Sequence, residues 1–264
     1  MPTMSSRVTE PVALRLAQYY TRYYRDTLGI PGWRDIVNVR LDDAVYEAQR
    51  LAQLERATGG AVWGTRLLNV GCGAGGFSAC AADAGAAVVS IDSSAEAVML
   101  TAARVPGHLT AVAAAEALPL AESSFDVVYC FSTLEHLDDR ARAVREMLRV
   151  LRPGGCLYLH APNRWSCFEG HYKLFWIPGL PKALGRIYLA LRGRPTGFLD
   201  TLAPTTVREC RRLVERAGGR VVRILDEDSR RPVGGRLWPL VRLYYRLFGI
   251  RPYVELVATK AASR

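Results

Sequence analysis

The residues best suited to chemistry are one glycine-rich stretch, one acid beyond it and a few histidines. Leu67-Leu68-Asn69-Val70-Gly71-Cys72-Gly73-Ala74-Gly75-Gly76-Phe77-Ser78 reads as an apolar strand that runs into a glycine turn and then a helix. Glycine lets the backbone turn tightly and brings a ligand within van der Waals distance. The spacing parses as Gly-x-Gly-x-Gly or, with Gly71, Gly73 and Gly76, as the dinucleotide fingerprint Gly-x-Gly-x-x-Gly. Asp92 ends the next apolar run, Val88-Val89-Ser90-Ile91-Asp92, 21 positions after Gly71. A carboxylate there can accept both ribose hydroxyls of an adenosine, so loop and acid together predict an adenosine-bearing cofactor.

For moving a proton near neutral pH histidine is the usual side chain, and the chain has His108, His136, His160 and His171. His136 follows the fourth strand candidate at the edge where open α/β sheets bind ligands. His171 stands in Arg164-Trp165-Ser166-Cys167-Phe168-Glu169-Gly170-His171-Tyr172-Lys173, where polar groups crowd beside aromatic ones. From that stretch Glu169, His171 and Tyr172 are candidates to hold a substrate hydroxyl, with Trp176 just beyond. His160 lies inside a strand and His108 in a Pro-Gly turn, which are structural settings.

These groups need a scaffold, and from residue 66 the chain alternates short β-branched runs with alanine-rich helical stretches, the rhythm of βαβ units and a parallel sheet. Strands are predicted at 66–70, 87–91, 109–113, 125–131, 156–161, 220–225 and 253–259, and helices around 75–84, 94–104, 138–150 and 204–217. Before them lie two predicted helices, about 8–28 and 40–58, ended by Gly59-Gly60 as a helix C-terminus should be. The expected organisation is an N-terminal helical cap over 1–58 and a cofactor-binding domain over 59–264, with lid-like insertions at about 164–203 and 227–252.

Half of the 264 residues are hydrophobic and 23% charged, enough to bury a core and incompatible with disorder. Six cysteines without a Cys-x-x-Cys pair argue against a zinc site or a disulfide scaffold and for free thiols in a reducing cytoplasm. The N-terminal stretch has polar residues where a signal peptide needs an apolar run, and no run of about 18 apolar residues occurs, so a cytoplasmic location is expected.

Four segments in series carry a resemblance: the glycine loop with Asp92; Ala115-Glu116-Ala117-Leu118-Pro119-Leu120 followed by Ser124-Phe125-Asp126-Val127-Val128-Tyr129-Cys130; Leu134-Glu135-His136; and Leu151-Arg152-Pro153-Gly154-Gly155. Over about residues 65–161 the chain resembles the class I S-adenosylmethionine (SAM) dependent methyltransferases. The resemblance implies a Rossmann-like α/β fold, a seven-stranded sheet with its last strand antiparallel, and SAM across the C-terminal ends of the early strands. Gly71, Gly73 and Gly75 would face the methionine moiety and Asp92 the ribose, with Asn69, Cys72, Ser93, Glu116 and Cys130 as further cofactor contacts. Members often carry an acid for the adenine amino group where this chain has Ala114, and Glu116 or a backbone amide would substitute. The cluster Tyr19-Tyr20-x-x-Tyr23-Tyr24 is spaced for one helical face, reads chiefly as packing, and could cover the cofactor while Arg40 pairs the methionine carboxylate.

Leu134 to Asp138, Leu151 to Gly155 and Asn163-Arg164 also resemble the ubiquinone-pathway O-methyltransferases, in which the Glu-His pair and a Glu three residues earlier are linked to a divalent cation. That earlier position is Ser132, so no metal is expected. Methyl transfer asks mainly for alignment in a dry pocket, and an oxygen nucleophile profits from a base; His136 and His171 are the catalytic candidates. The expected reaction is SAM-dependent methylation of a small or lipid-like molecule at a hydroxyl oxygen. An isoprenoid carbon, a sugar or a nucleic acid are alternative acceptors, and a nicotinamide-linked oxidoreductase is a rival class.

Charge is divided unevenly: residues 1–150 hold 14 Lys/Arg and 17 Asp/Glu, whereas 151–264 hold 21 and 8. A nucleic-acid partner is disfavoured, because the bases are arginines dispersed among apolar residues and the Asn/Asp-Pro-Pro-Tyr/Phe type of loop is replaced by Cys130-Phe131-Ser132-Thr133. In 174–192 and again in 236–248, leucines and aromatics alternate with arginines, a pattern that suits helices lying in a membrane interface or closing over an apolar substrate. Peripheral contact with the inner face of an anionic membrane is the corresponding expectation.

Overall fold

The computed structural model describes residues 10–225 and 238–260. Strands β1 (Arg66–Val70), β2 (Ala87–Asp92), β3 (Leu109–Val112), β4 (Phe125–Phe131), β5 (Leu151–Pro162), β8 (Gly219–Ile224) and β9 (Tyr253–Lys260) form one sheet in the order β3-β2-β1-β4-β5-β9-β8. β1 pairs in parallel with both β2 and β4, β2 with β3, and β4 with β5, while β9 is antiparallel to both its neighbours. The order reverses at β1, and the register Val70↔Ile91 and Val70↔Cys130 sets the ends of β2, β1 and β4 side by side. That is the crevice where doubly wound sheets bind ligands.

The central strands β1, β4, β5 and β9 are buried on both faces, as a covered sheet requires, while the edge strands β3 and β8 stay partly exposed. Along β4, Val128 and Cys130 enter one core with Ala143, Met147 and Leu148 of α6 (Arg140–Val150) and Cys210 and Val214 of α9 (Val207–Arg216). Val127 and Tyr129 enter the other, with Leu54 and Ala57 of α3 (Asp43–Thr58) and Phe77 and Ala81 of α4 (Gly76–Asp83). Side chains alternate across a strand, so each strand serves both layers. Side-chain caps start α5 (Ala95–Arg104) at Ser94, α6 at Asp139 and α9 at Thr206.

β1 and β4 have the expected bounds, and all seven expected strands form. β5 begins earlier than expected, at Leu151, because Leu151 already pairs with Phe125; Arg152 to Gly155 then form an irregularity, and the register resumes at Val127↔Cys156. A side chain on Gly155 would meet the Asp126 carbonyl at 2.9 Å. The N-terminal region also differs: α1 (Glu10–Thr21) passes into a π-helical turn at Arg22–Thr27, and an unanticipated α2 (Trp33–Leu41) precedes α3. Gly29 and Gly32, with φ of +60° and +68°, break the chain around Pro31.

The insertion after β5 folds as a hairpin, β6 (Phe168–Glu169) and β7 (Leu174–Phe175), followed by α7 (Lys182–Leu191) and α8 (Phe198–Thr201). Of the expected insertion at 227–252, residues 227–237 lie outside the described residues; the rest contains α10 (Trp238–Phe248).

Candidate active site

A cavity of about 600 Å³ opens at the C-terminal ends of β1, β2 and β4. Its floor is the glycine loop. Gly71, Gly73 and Gly75 have φ of +74°, +54° and +80°, the left-handed region where a Cβ is costly. A Cβ on Gly71 would overlap the Thr133 side chain and one on Gly75 would come within 2.7 Å of Thr101, whereas at Gly73 it would meet nothing within 4 Å. The first and third glycines are thus required by close packing behind the loop, and the middle one leaves open space in front of it. The Gly73 amide donates to Asp92 Oδ2 at 2.8 Å and the Ser94 amide to Oδ1 at 2.9 Å, so the carboxylate latches the loop to the end of β2. Asp92, Ser93 and Glu116 line the same wall.

Asn69 and Cys72 also reach the cavity wall. The Asn69 amide donates to Ser78 Oγ at 2.9 Å, and Ser90 Oγ lies 2.9 Å from the same hydroxyl, a buried polar relay that ties β1, β2 and α4 together. Burial pushes the Cys72 thiol up to about 12, against the Thr101 hydrogen bond that lowers it, which leaves a neutral, unreactive thiol. Cys130 is displaced from its expected place: its side chain is fully buried in the core on the α6 side and is not among the lining residues. All six cysteines are free thiols.

Opposite the loop, the tyrosines of α1 and the π turn form a wall. Tyr19, Tyr20, Tyr23 and Tyr24 all line the cavity, so the cluster that read chiefly as packing faces the site. Below them Arg40 and Arg50 each stand 2.9 Å from a different oxygen of Glu47. Arg50 also donates to the Tyr129 hydroxyl at 3.0 Å and lies 3.9 Å from the Phe131 ring centre. Two guanidiniums share one carboxylate here, and Arg40 Nε is buried without a hydrogen-bond partner. The corner therefore carries an excess positive charge suited to a ligand carboxylate. Arg40 was legible as a candidate; Glu47 and Arg50 were not, since nothing in a helical sequence marks an i, i+3 pair as turned toward a ligand.

The far end of the cavity holds the histidines. His136 ends a short 3₁₀ turn, Leu134–His136, just after β4, and His171 sits in the β6–β7 turn; their rings meet edge to face at 5.5 Å. His171 Nδ1 lies 2.9 Å from Glu169 Oε1, and Nε2 lies 3.5 Å from Glu135 Oε1. Burial disfavours charge on His171, but the two carboxylates outweigh it and raise the pKa to about 10, so both ring nitrogens carry protons at neutral pH. His136 shifts the other way: desolvation lowers its pKa, the charged His171 adds to the lowering, and Glu135 opposes. The pair thus holds one imidazolium and one neutral imidazole. Glu135 is 1% exposed, and beyond the 3.5 Å approach of His171 its oxygens have no hydrogen-bond partner.

Among the described residues, donor atoms of Glu135, His136 and His171 lie within 4.8 Å of one another. His171 joins Glu135 and His136 from the hairpin, a meeting that spacing along the chain could not reveal. Ser132 and Lys173 both line the cavity and both have positive φ, 51° and 55°, strain of the kind that collects at working sites.

Three expected substrate contacts, Glu169, Tyr172 and Trp176, are not among the residues that line this cavity. Glu169 stands behind His171, with Oε2 accepting from the Tyr172 amide, and does not line the cavity. Tyr172 is fully buried against Leu28, Ile30 and Leu189. Trp176 packs edge to face on Tyr188, across Gly185 of α7. The polar and aromatic side chains that crowd together in the sequence separate in the hairpin, and only His171 and Lys173 of this group reach the cavity.

A sheet of this order with one antiparallel strand, a glycine loop after β1 and an acid ending β2 define a class I SAM-dependent methyltransferase domain. Residues 68–159 match the family described as "Methyltransferase domain", and the chain carries that domain. It is similar to a probable S-adenosylmethionine-dependent methyltransferase of Mycobacterium tuberculosis, 32% identical over 175 residues, covering 66% of this chain and 62% of the relative. It is also similar to a ubiquinone biosynthesis O-methyltransferase of Xanthomonas oryzae pv. oryzae, 38% identical over 108 residues, covering 38% of this chain and 44% of the relative. The chain thus spans less than two thirds of each relative's length. The crystal structure of an S-adenosylmethionine-dependent methyltransferase from Mesorhizobium loti shares the fold, with a TM-score of 0.55 at 20% identity over 79% of this chain and 96% of that one.

Proposed function

We propose that this protein transfers the methyl group of SAM to a hydroxyl oxygen of a small or lipid-like acceptor. The observation that carries the reading is the pairing, on one cavity wall, of a neutral His136 with a charged His171 opposite a glycine loop latched by Asp92. The residues fit the cofactor: open space in front of Gly73, Asp92 at the end of β2 for the ribose, and the surplus positive charge of Arg40 and Arg50 for the methionine carboxylate. When bound, SAM supplies a methyl group on a cationic sulfur.

The chain's own part is alignment and proton handling. The tyrosine wall excludes water above the glycine loop. His136, held deprotonated by its surroundings, would accept the acceptor's hydroxyl proton as that oxygen takes the methyl group. His171 is a positioning residue: its two nitrogens are directed at Glu135 and Glu169, and its charge adds to the desolvation that holds His136 neutral. Glu135, His136 and His171 are also the groups that would hold a divalent cation if one were bound, where it would polarise an acceptor oxygen.

The similarity to a ubiquinone biosynthesis O-methyltransferase supports an oxygen acceptor. The test is calorimetric titration of SAM into wild type and Asp92→Ala, followed by isotopic methyl transfer to catechols and hydroquinones and to matched carbon and amine acceptors. Binding weakened at least tenfold by the substitution, with label incorporated only into hydroxyl-bearing acceptors, is expected. Label in carbon or amine acceptors alone would overturn the oxygen assignment, and no binding to wild type would overturn the cofactor site.

A further inference from the structure

Two helices distant in the chain present the same pattern to solvent. On α7, Leu184, Ile187 and Leu191 are exposed, Leu191 by 82%; on α10, Leu240, Leu243 and Leu247 are exposed, Leu247 by 69%. Both triads have spacing i, i+3, i+7, one face of a helix, and the opposite faces are anchored by Leu189 and by Val241 and Tyr245. The β6–β7 hairpin lies between the two helices. The Tyr188 hydroxyl of α7 donates to the Phe175 carbonyl at 2.9 Å, and the Phe175 side chain packs on Val241 and Tyr245 of α10. From α10 the Tyr244 hydroxyl donates to the Trp165 carbonyl at 3.2 Å, and the Trp165 ring packs against Gly179, three residues before α7.

Charge accompanies the leucines. From Lys182 to Leu199 there are four lysines and arginines and no acid, and from Trp238 to Val254 three arginines and no acid. On α7, Arg186 pairs with Asp200 across the helix pair and Arg192 lies over the Tyr188 ring; on α10, Arg242 and Arg246 are exposed.

We infer that α7 and α10 form a docking face for an anionic lipid bilayer. A second copy of this chain would bring positive surface against positive surface, and a nucleic acid would leave the two apolar triads without a partner. An anionic bilayer satisfies both, with phosphates for the bases and acyl chains for the leucines. Among the described residues no helix is long and apolar enough to cross a membrane, so these helices would lie in the plane of the interface. The hairpin between them carries His171 into the cavity wall, which places the docking face beside the acceptor end of the site.

Flotation of the full chain with phosphatidylcholine vesicles, and with the same vesicles containing phosphatidylglycerol, tests this independently of methyl transfer. Binding to the anionic vesicles alone is expected, lost at about 0.5 M salt, where the screening length falls to a few ångströms. Arg242→Gln with Arg246→Gln should lower the partition coefficient about 30-fold, at about fivefold for each base near an anionic surface. Leu184→Asn with Leu191→Asn should lower it as well, with circular dichroism reporting whether each variant is folded. If a variant fails to fold, the lipid and salt dependence of the wild type still decides. Equal binding to neutral vesicles, no binding to either, or self-association abolished by the leucine substitutions would overturn the inference.

Discussion

The two ends of the cavity are built from different materials. At the glycine loop the chain presents backbone: left-handed glycines, amide groups and one carboxylate that ends a strand. At the histidine end it presents side chains from the turn after β4, the β6–β7 hairpin and α8, brought together only by the tertiary fold. A backbone-built site tolerates almost no substitution but asks little of distant residues. A site built from side chains can change its chemistry residue by residue while the fold stays intact.

The largest effect should come from the first kind of site. Gly71→Ala forces a Cβ into the left-handed region and onto Thr133, and the loop must move to accommodate it. SAM affinity measured by calorimetry should fall more than about 100-fold, about 3 kcal/mol, within the range for strained backbone positions. If Gly71→Ala binds as wild type does, the loop is not a backbone-built cofactor site.

At the other end His136→Gln should leave SAM affinity unchanged and lower kcat by about 100-fold, the lower range for general-base catalysis. In the wild type the pH profile should show an acidic limb, because His136 must be deprotonated to act and its lowered pKa puts that limb below the ordinary histidine value. The variant should lose the limb. A fall in SAM affinity equal to the fall in kcat would instead assign His136 to cofactor binding.

This division also explains what could be read from sequence. The bounds of β1 and β4 and the turn at Gly71 follow from short-range rules, alternation of apolar residues and the need for positive φ, and these act within a few residues. The Glu135–His171–Glu169 array depends on a hairpin folding back over β4, which no local pattern encodes. Tyr172 and Trp176 lie away from the cavity for the same reason: aromatic side chains in a hairpin are equally at home on either face, and here they fill the core beneath α7. The helix α2 escaped notice because its N-cap is Gly32 with no side-chain capping bond, so the usual signal for a helix start is missing.

A smaller effect is expected in stability. The His171 pKa rises from the ordinary value of 6.5 to about 10 on folding, so its contribution is fully present below about pH 6.5 and is lost as pH climbs through about 10. Chemical denaturation at a series of pH values should show wild type losing stability across that window, and His171→Gln should flatten this part of the profile. A variant that keeps the wild-type slope would assign the slope to other groups.

The smallest effect concerns the three donors within 4.8 Å. A cation bound there would need a free lone pair on the His171 ring, and with its pKa raised to about 10 the ring is protonated on both nitrogens at pH 7. Ligand protonation competes directly with coordination, so that proton weakens metal binding at neutral pH. The proton already supplies the positive charge that the Glu135 carboxylate faces. Dialysis against EDTA should therefore change the methyl-transfer rate by less than about twofold. Loss of activity restored by magnesium or zinc would show that a metal takes the proton's place, and the histidine end would then be a metal site that recruits His171 where Ser132 offers no carboxylate.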